Sequence, residues 1–159
     1  MLINDKPVIV YYEPTLKPLF KSLNHEWLDK YFTVTEEDDK ILSDPEKIIR
    51  DGGCVIFASL QDEIVGTCAL IKKTDSEYEI AKMGVTKRAQ GRKVGQCLLN
   101  EIINEAKKRN AKIVSLETAI SLKAAISLYE KFGFSRTSEE ETHPLFNRKT
   151  FRMELKLNF

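Results

Sequence analysis

The chain has little of what would mark a specialised class. Its 159 residues include 3 cysteines. Cys54, Cys68 and Cys97 are an odd number without metal-ligand spacing, which argues against a disulfide framework or a zinc site. Cys54 and Cys68 stand in apolar runs and read as reduced core thiols. Charge of one sign is missing too: 25 Lys and Arg face 24 Asp and Glu, for a net charge of +1. A general nucleic-acid or membrane surface needs a clear basic excess, so neither partner is expected and any anion binding must be local. No apolar run approaches the length of a bilayer span. Residues 1–10, MLINDKPVIV, lack the basic start and long apolar stretch of a signal peptide, so a cytoplasmic location is expected. Repeats, low-complexity tracts and Pro- or Gly-rich linkers are absent as well. His25 and His143 are the only histidines and have no shared ligand spacing.

What remains is an ordinary globular composition, 42% hydrophobic and 31% charged, at a length that buries a full core as one domain over residues 1–159. Pro7 to Glu13 (PVIVYYE) reads as a strand. Leu16, Leu19, Phe20, Leu23, Trp27, Leu28 and Tyr31 recur at helical spacing, with Pro18 in the first turn. Trp27 reads as a core or pocket-wall residue. The acidic turn Glu36-Glu37-Asp38-Asp39 is expected to be a solvated face, or else an attractor for a cationic substrate. A short helix near Asp44 to Asp51 stops at Gly52-Gly53. Cys54 to Leu60 and Ile64 to Lys72 form a hairpin, and Gly66 signals a bulge or a close backbone approach.

The chain is organised around Tyr78 to Gln96, YEIAKMGVTKRAQGRKVGQ. A strand (Glu79 to Val85) empties through a basic loop into a helix whose apolar stripe is Val94, Leu98, Leu99, Ile102, Ile103 and Ala106. Free backbone N–H groups, the helix dipole and the cations Lys87, Arg88, Arg92 and Lys93 together favour an anion there. Gly91 and Gly95 allow close approach. Lys112 to Glu117 is then a buried strand, Ser121 a candidate N-cap, and Leu122 to Phe132 a helix ending at Gly133. Phe134 begins a further strand. A polar loop (Ser138 to Asn147) precedes the alternating strand Thr150 to Leu157.

This order and two local patterns resemble the GNAT superfamily of acyl-CoA-dependent N-acetyltransferases. Gln90-Gly91-Arg92-Lys93-Val94-Gly95 is similar to the family's cofactor loop, with Lys93 where its first glycine usually stands. Leu122-Lys-Ala-Ala125-Ile-Ser-Leu128-Tyr129-Glu-Lys-Phe-Gly133-Phe134 is similar to the family's NxxAxxLYxxxGF helix, with Leu122 replacing the common Asn. The implied fold is α/β layered: one mixed, mostly antiparallel sheet of about seven strands flanked by about four helices, with splayed central strands. The implied cosubstrate is acetyl-CoA, with no metal. Met83, Gly84 and Val85 would pair with the pantetheine arm through their backbone, as a ligand adding to a sheet edge. Gln90, Gly91, Arg92, Lys93, Val94, Gly95 and Gln96 would hold the pyrophosphate, and Leu122 and Ala125 would flank the arm. A right-handed helical conformation is expected at Lys93, because a positive φ there would cost about 1–2 kcal/mol.

Acetyl transfer needs a neutral amine, and deprotonating a lysine-like amine at neutral pH costs about 4–5 kcal/mol. A general base lowers that barrier. Glu79, on the central strand, is the candidate base and Glu117 its rival. By the resemblance, Tyr129 protonates the leaving thiolate, and the Met83 N–H is a candidate oxyanion donor. Asn24, Glu26, Trp27, Glu117 and His143, with Phe146, Asn147 and Arg148, form the expected acceptor site. The expected partner is a small-molecule or peptide amine, and a homodimer is compatible with the resemblance. The alternative reading is a module of the same fold that senses acyl-CoA without turnover.

Overall fold

A computed structural model describes residues 6–157. Strand β1 (Val8–Tyr11) leads through a 3-10 turn to helix α1 (Lys17–Tyr31), then α2 (Glu36–Leu42) and α3 (Pro45–Arg50). Strands β2 (Cys54–Leu60), β3 (Glu63–Lys72) and β4 (Glu77–Val85) form a meander. They are followed by α4 (Val94–Lys108), β5 (Ile113–Thr118), α5 (Lys123–Lys131), β6 (Ser135–Arg136), β7 (Glu141–Thr142) and β8 (Lys149–Lys156). The sheet order is β1-β2-β3-β4-β5-β8-β6, with β7 pairing β8. The β4–β5 pair is parallel, and the other described pairs are antiparallel. The expected mixed, mostly antiparallel sheet is therefore present, with five α-helices rather than about four.

The extra helix is α2, at the acidic segment expected to be a solvated turn. Thr35 and Asp38 form a reciprocal capping box, and all four acids sit in the first turn, where the helix dipole favours negative charge. Asp38 is fully buried. The sequence places carboxylates where a helix start needs them, and tertiary packing draws one inside.

Strand β2 shows why the sheet holds layers on both faces. Cys54, Ile56, Ala58 and Leu60 join the core under α4 and α5, while Val55 and Phe57 join the second core under α1, α2 and α3. A strand buried on both sides reads as a continuous apolar run. Gly66 sits beside a register shift between β2 and β3, and a Cβ there would lie 2.9 Å from Val94 and 3.0 Å from Leu98. Its absence lets α4 lie close to the sheet.

At α5 the N-cap is Leu122, without a side-chain cap, in place of the expected Ser121. The helix therefore begins one residue later than a Ser cap would set it.

Candidate active site and cofactor groove

Strands β4 and β5 pair only from Glu77↔Ile113 to Ile80↔Leu116. Beyond that point β4 continues along β3, and β5 continues along β8. The two central strands separate, leaving one backbone edge of residues 81–85 without a neighbouring strand. The cause lies in β4. Tyr78 and Ile80 face the α4 core, and so do Met83 and Val85; an odd step between Ile80 and Met83 breaks the two-residue alternation. The extra residue is Lys82, at φ 53°, and the β3–β4 register shifts there. This is a bulge that bends the strand.

Below the parting lies the basic loop. Gly91 has φ 80° with nothing within 4 Å of a built Cβ, so glycine is needed for conformation, not space. Lys93 is left-handed at φ 66° and ψ 18°, which overturns the right-handed expectation. It is the N-cap of α4, where the chain must reverse into the helix, so the family's usual glycine has a conformational reason that Lys93 meets under strain. Among the described residues the N-cap of α4 has no side-chain cap bond, and its first turn holds no acid; an uncapped helix start of this kind favours an anion. Gly95 lies within 3.3 Å of Leu128 and 3.4 Å of Met83, measured from a built Cβ, so α4, α5 and β4 converge there. Of the expected cations, Arg88 is held in a two-point pair with Glu63 at 2.6 and 2.9 Å and points away from that role. Gln90 donates its side-chain amide to the Val85 carbonyl at 3.4 Å, in the region where strand-like pairing with a ligand is expected. Val94 is buried, Gln96 and Ala125 are half-buried, and Gly84 abuts α1, where a Cβ would lie 2.9 Å from the Trp27 ring.

Tyr129 and Glu79 lie on opposite faces of the sheet. Tyr129 is buried in the α4–α5 core beside Phe134. Among the described residues no hydrogen bond is made by its hydroxyl, and burial, with Cys68 nearby, raises its pKa. Glu79 lines a cleft of about 490 Å3 on the α1–α3 face. Burial pushes its carboxyl above the ordinary range, Glu117 adds to this, and Lys73, Lys82 and Arg152 work against it. Glu117 lines the same cleft but accepts a 2.6 Å hydrogen bond from Thr150.

The other expected acceptor residues divide. Trp27, His143, Phe146 and Arg148 line the cleft, and so does Leu122, which was expected beside the cofactor arm. Asn24 is buried and bonded to the Phe20 carbonyl and to the Trp27 indole, so its role is internal to α1. Glu26 accepts from the Thr86 hydroxyl and, at 2.9 Å, from the Lys87 N–H; it braces the cofactor loop instead of the cleft. His143 closes its own turn, accepting from the Leu145 N–H at 3.1 Å. Asn147 is left-handed at φ 49° and turns the chain before Arg148.

Sequence reading missed the group that joins these parts. Asp38 accepts from Lys82 at 3.3 Å, from Arg148 through both terminal nitrogens, and from the Thr35 backbone and hydroxyl. Burial works to raise the Asp38 carboxyl, but Arg148, Thr35 and Lys82 prevail and hold it at about 2. Burial also lowers the Lys82 ammonium, against the pull of Asp38. The node ties α2, the β4 bulge and the β7–β8 loop together. The signal for Lys82 was the broken alternation in β4; nothing local marks Asp38 as its partner.

Comparison with known proteins decides the family. The sequence profile described as the Acetyltransferase (GNAT) family matches residues 18–134. The chain belongs to the GNAT family.

It is similar to the camello protein of Xenopus laevis (28% identity, 67% of this chain and 50% of that protein) and to the IAA acetyltransferase of Azospirillum brasilense (29%, 69% and 73%). It spans about half the length of the curated relatives it matches first. Among solved structures, a GNAT-family acetyltransferase of Staphylococcus aureus superposes with a TM-score of 0.83 at 21% identity, covering 96% of this chain and 100% of that one. The Salmonella typhimurium protein yncA, solved with its cofactor acetyl-CoA, gives 0.79 at 18%, covering 96% and 94%. These likenesses establish a shared fold.

Proposed function

We propose that this GNAT domain transfers an acetyl group from acetyl-CoA to a primary amine. One observation carries the reading: β4 parts from β5 after Ile80, with Glu79 on the cleft side and Tyr129 on the α4–α5 side. Acetyl-CoA is the cosubstrate. Its pyrophosphate would meet the uncapped start of α4 around Gly91 to Gln96, and its pantetheine the free edge of Met83 to Val85.

The chemistry then divides across the sheet. In the cleft, Glu79 takes a proton from the acceptor ammonium. The freed nitrogen lone pair attacks the thioester carbonyl, a strand N–H such as that of Met83 steadies the oxyanion, and the C–S bond breaks. Tyr129 gives its proton to the departing thiolate and is reprotonated as the new amide nitrogen loses its second proton, so that neutral amide and CoA thiol are released. A carboxylate with a raised pKa is a stronger base than an ordinary one, and Glu117 is less suited because Thr150 already bonds it. A phenol without a protein partner keeps its proton available for the sulfur.

The test is thiol release from acetyl-CoA across a panel of amines, with wild type and Tyr129→Phe compared. We expect turnover in the wild type, and a fall in kcat of about 10-fold or more in the variant with acetyl-CoA affinity little changed, as for the loss of a general acid. Equal turnover in the variant removes Tyr129 from the mechanism. Tight CoA binding with no turnover on any amine supports the sensing module instead.

A further inference from the structure

Two cations and one carboxylate meet inside the cleft wall. Lys82 and Arg148 are 10% and 12% exposed, and Asp38 is wholly buried. Asp38 is saturated: its two oxygens accept from Lys82, Arg148 and Thr35. Asp38 matches one of the two cations; Lys82 also feels the charge of Glu79 across the cleft but makes no hydrogen bond to it, and a buried cation so loosely matched is costly.

The donors are in excess as well. The Arg148 terminal nitrogens go to Asp38 and the Thr33 carbonyl, while its buried Nε has no acceptor among the described residues. Asp38 is the one hydrogen-bond acceptor of the Lys82 ammonium among those residues, although the ammonium has three protons to give. The Thr118 hydroxyl, on the same cleft, is also buried without a partner. Aromatic rings complete the wall: Lys82 Nζ lies 4.3 Å from the Phe146 centroid, and the Arg148 guanidinium 5.0 Å from Phe32. This end of the cleft is built for an anion that brings hydrogen-bond acceptors.

Its distance from the proposed base limits the ligand. Glu79 and Lys82 are three residues apart on β4 and both line the cleft. At about 3.3 Å per residue their backbones are at most about 10 Å apart. Their side-chain charges also act on one another across the cleft, so an acceptor that reaches both carries its anion close to its amine.

We propose that Lys82 and Arg148 bind a carboxylate of the acceptor, and that the acceptor is a small free amino acid whose amine faces Glu79. The inference rests on the acetyl-transfer reading for the role of the amine, while the carboxylate site stands on the two buried cations and their excess of hydrogen-bond donors.

The experiment compares alanine, leucine, methionine and phenylalanine with their amides, by calorimetric binding to the CoA-loaded protein and, separately, by turnover. An amide's amine is the less basic, so more of it is neutral and chemistry alone favours the amide. The free acid is expected to bind about 10- to 150-fold better, as for a charge-assisted hydrogen bond. Lys82→Asn, which keeps a residue tolerant of the left-handed bulge, is expected to reduce that preference to within about 3-fold. Equal binding of acid and amide by the wild type overturns the proposal without recourse to any variant. So does a preference that survives in Lys82→Asn, or stronger binding of a peptide with an acidic second residue than of any free amino acid. An acid preference in binding with no turnover on any amine keeps the carboxylate site and rejects the transfer reaction; turnover on amines with no acid preference does the reverse.

Discussion

The proposed cofactor groove and the proposed acceptor cleft share strand β4, yet they are made of different materials. The groove is built largely from one continuous stretch, Met83 to Gln96, and works through backbone: a free strand edge, a glycine at positive φ, an uncapped helix start. The cleft is built from side chains far apart in sequence, Asp38, Glu79, Lys82, Glu117 and Arg148, and works through charge. Backbone geometry tolerates many side chains, so the groove can vary in residue identity and keep its shape. A buried charge node does not, because each member is the neutralising partner of another. On the proposed reading, the groove fixes which reaction is available and the cleft fixes the acceptor.

The sharpest way to break this comparison is through the node. Asp38→Asn removes the single negative charge between Lys82 and Arg148, and breaking a buried pair this way costs about 3–5 kcal/mol. Unfolding by denaturant or heat measures it. The pH dependence has a fixed sign: the Asp38 carboxyl is held at about 2 in the fold, below its unfolded value of ~3.9, so its contribution is full above that value and is lost as pH falls through about 2. If Asp38→Asn unfolds as the wild type does, the cleft wall is not set by this node.

Glu79→Gln comes next, and it separates chemistry from stability. Loss of a general base lowers kcat/KM by about 100-fold, or about 2.7 kcal/mol. Because burial raises the Glu79 pKa in the fold, the charged carboxylate is a cost to folding at neutral pH: the folded form holds its proton more tightly, and stability falls as pH rises through that window. The variant should thus be no less stable than wild type at neutral pH, and the acidic limb of the activity profile should flatten. An unchanged limb moves the base to Glu117.

How much was legible follows the same division. The Gln90–Gly95 loop and the Leu122–Phe134 helix are contiguous, so the sequence carries both the groove and the family. The break in alternation at Lys82 also lies in plain view, since Ile80 and Met83 both face α4. The Thr35–Asp38 capping box is local too, but its local meaning is a helix start, and only the fold turns Asp38 inward to Arg148, 110 residues away. Asn24 and Glu26 follow for a related reason: their helical position fits a cleft, but Asn24 bonds inside α1 and Glu26 bonds at the basic loop. Lys93 failed differently. A cation near phosphates and a right-handed backbone are separate properties, and the helix entry demanded a left-handed one.

On the groove side the expected effects are smaller. Gly91→Ala forces a Cβ onto φ 80°, at a cost of about 1–2 kcal/mol. With nothing nearby to clash, the loss should show as weaker acetyl-CoA binding, read by calorimetry, with stability reduced by no more than that amount. A larger loss of stability would mean that the loop, like the cleft, is held by packing.

Lys93→Gly is the smallest and the most discriminating. Two effects of the side chain oppose each other. At φ 66° a non-glycine residue carries left-handed strain of about 1–2 kcal/mol, and glycine relieves it, while glycine's greater freedom in the unfolded chain returns about 0.4–1 kcal/mol. The variant should therefore be as stable as wild type or slightly more so, by at most about 1.6 kcal/mol. Acetyl-CoA affinity should move the other way if the ammonium meets the phosphates, by a few-fold and with weaker dependence on salt, because an exposed charge is screened. Stability up and affinity down would show that Lys93 trades backbone ease for charge. Stability up with affinity unchanged would show that the groove binds through its backbone alone, and would sharpen its contrast with the cleft.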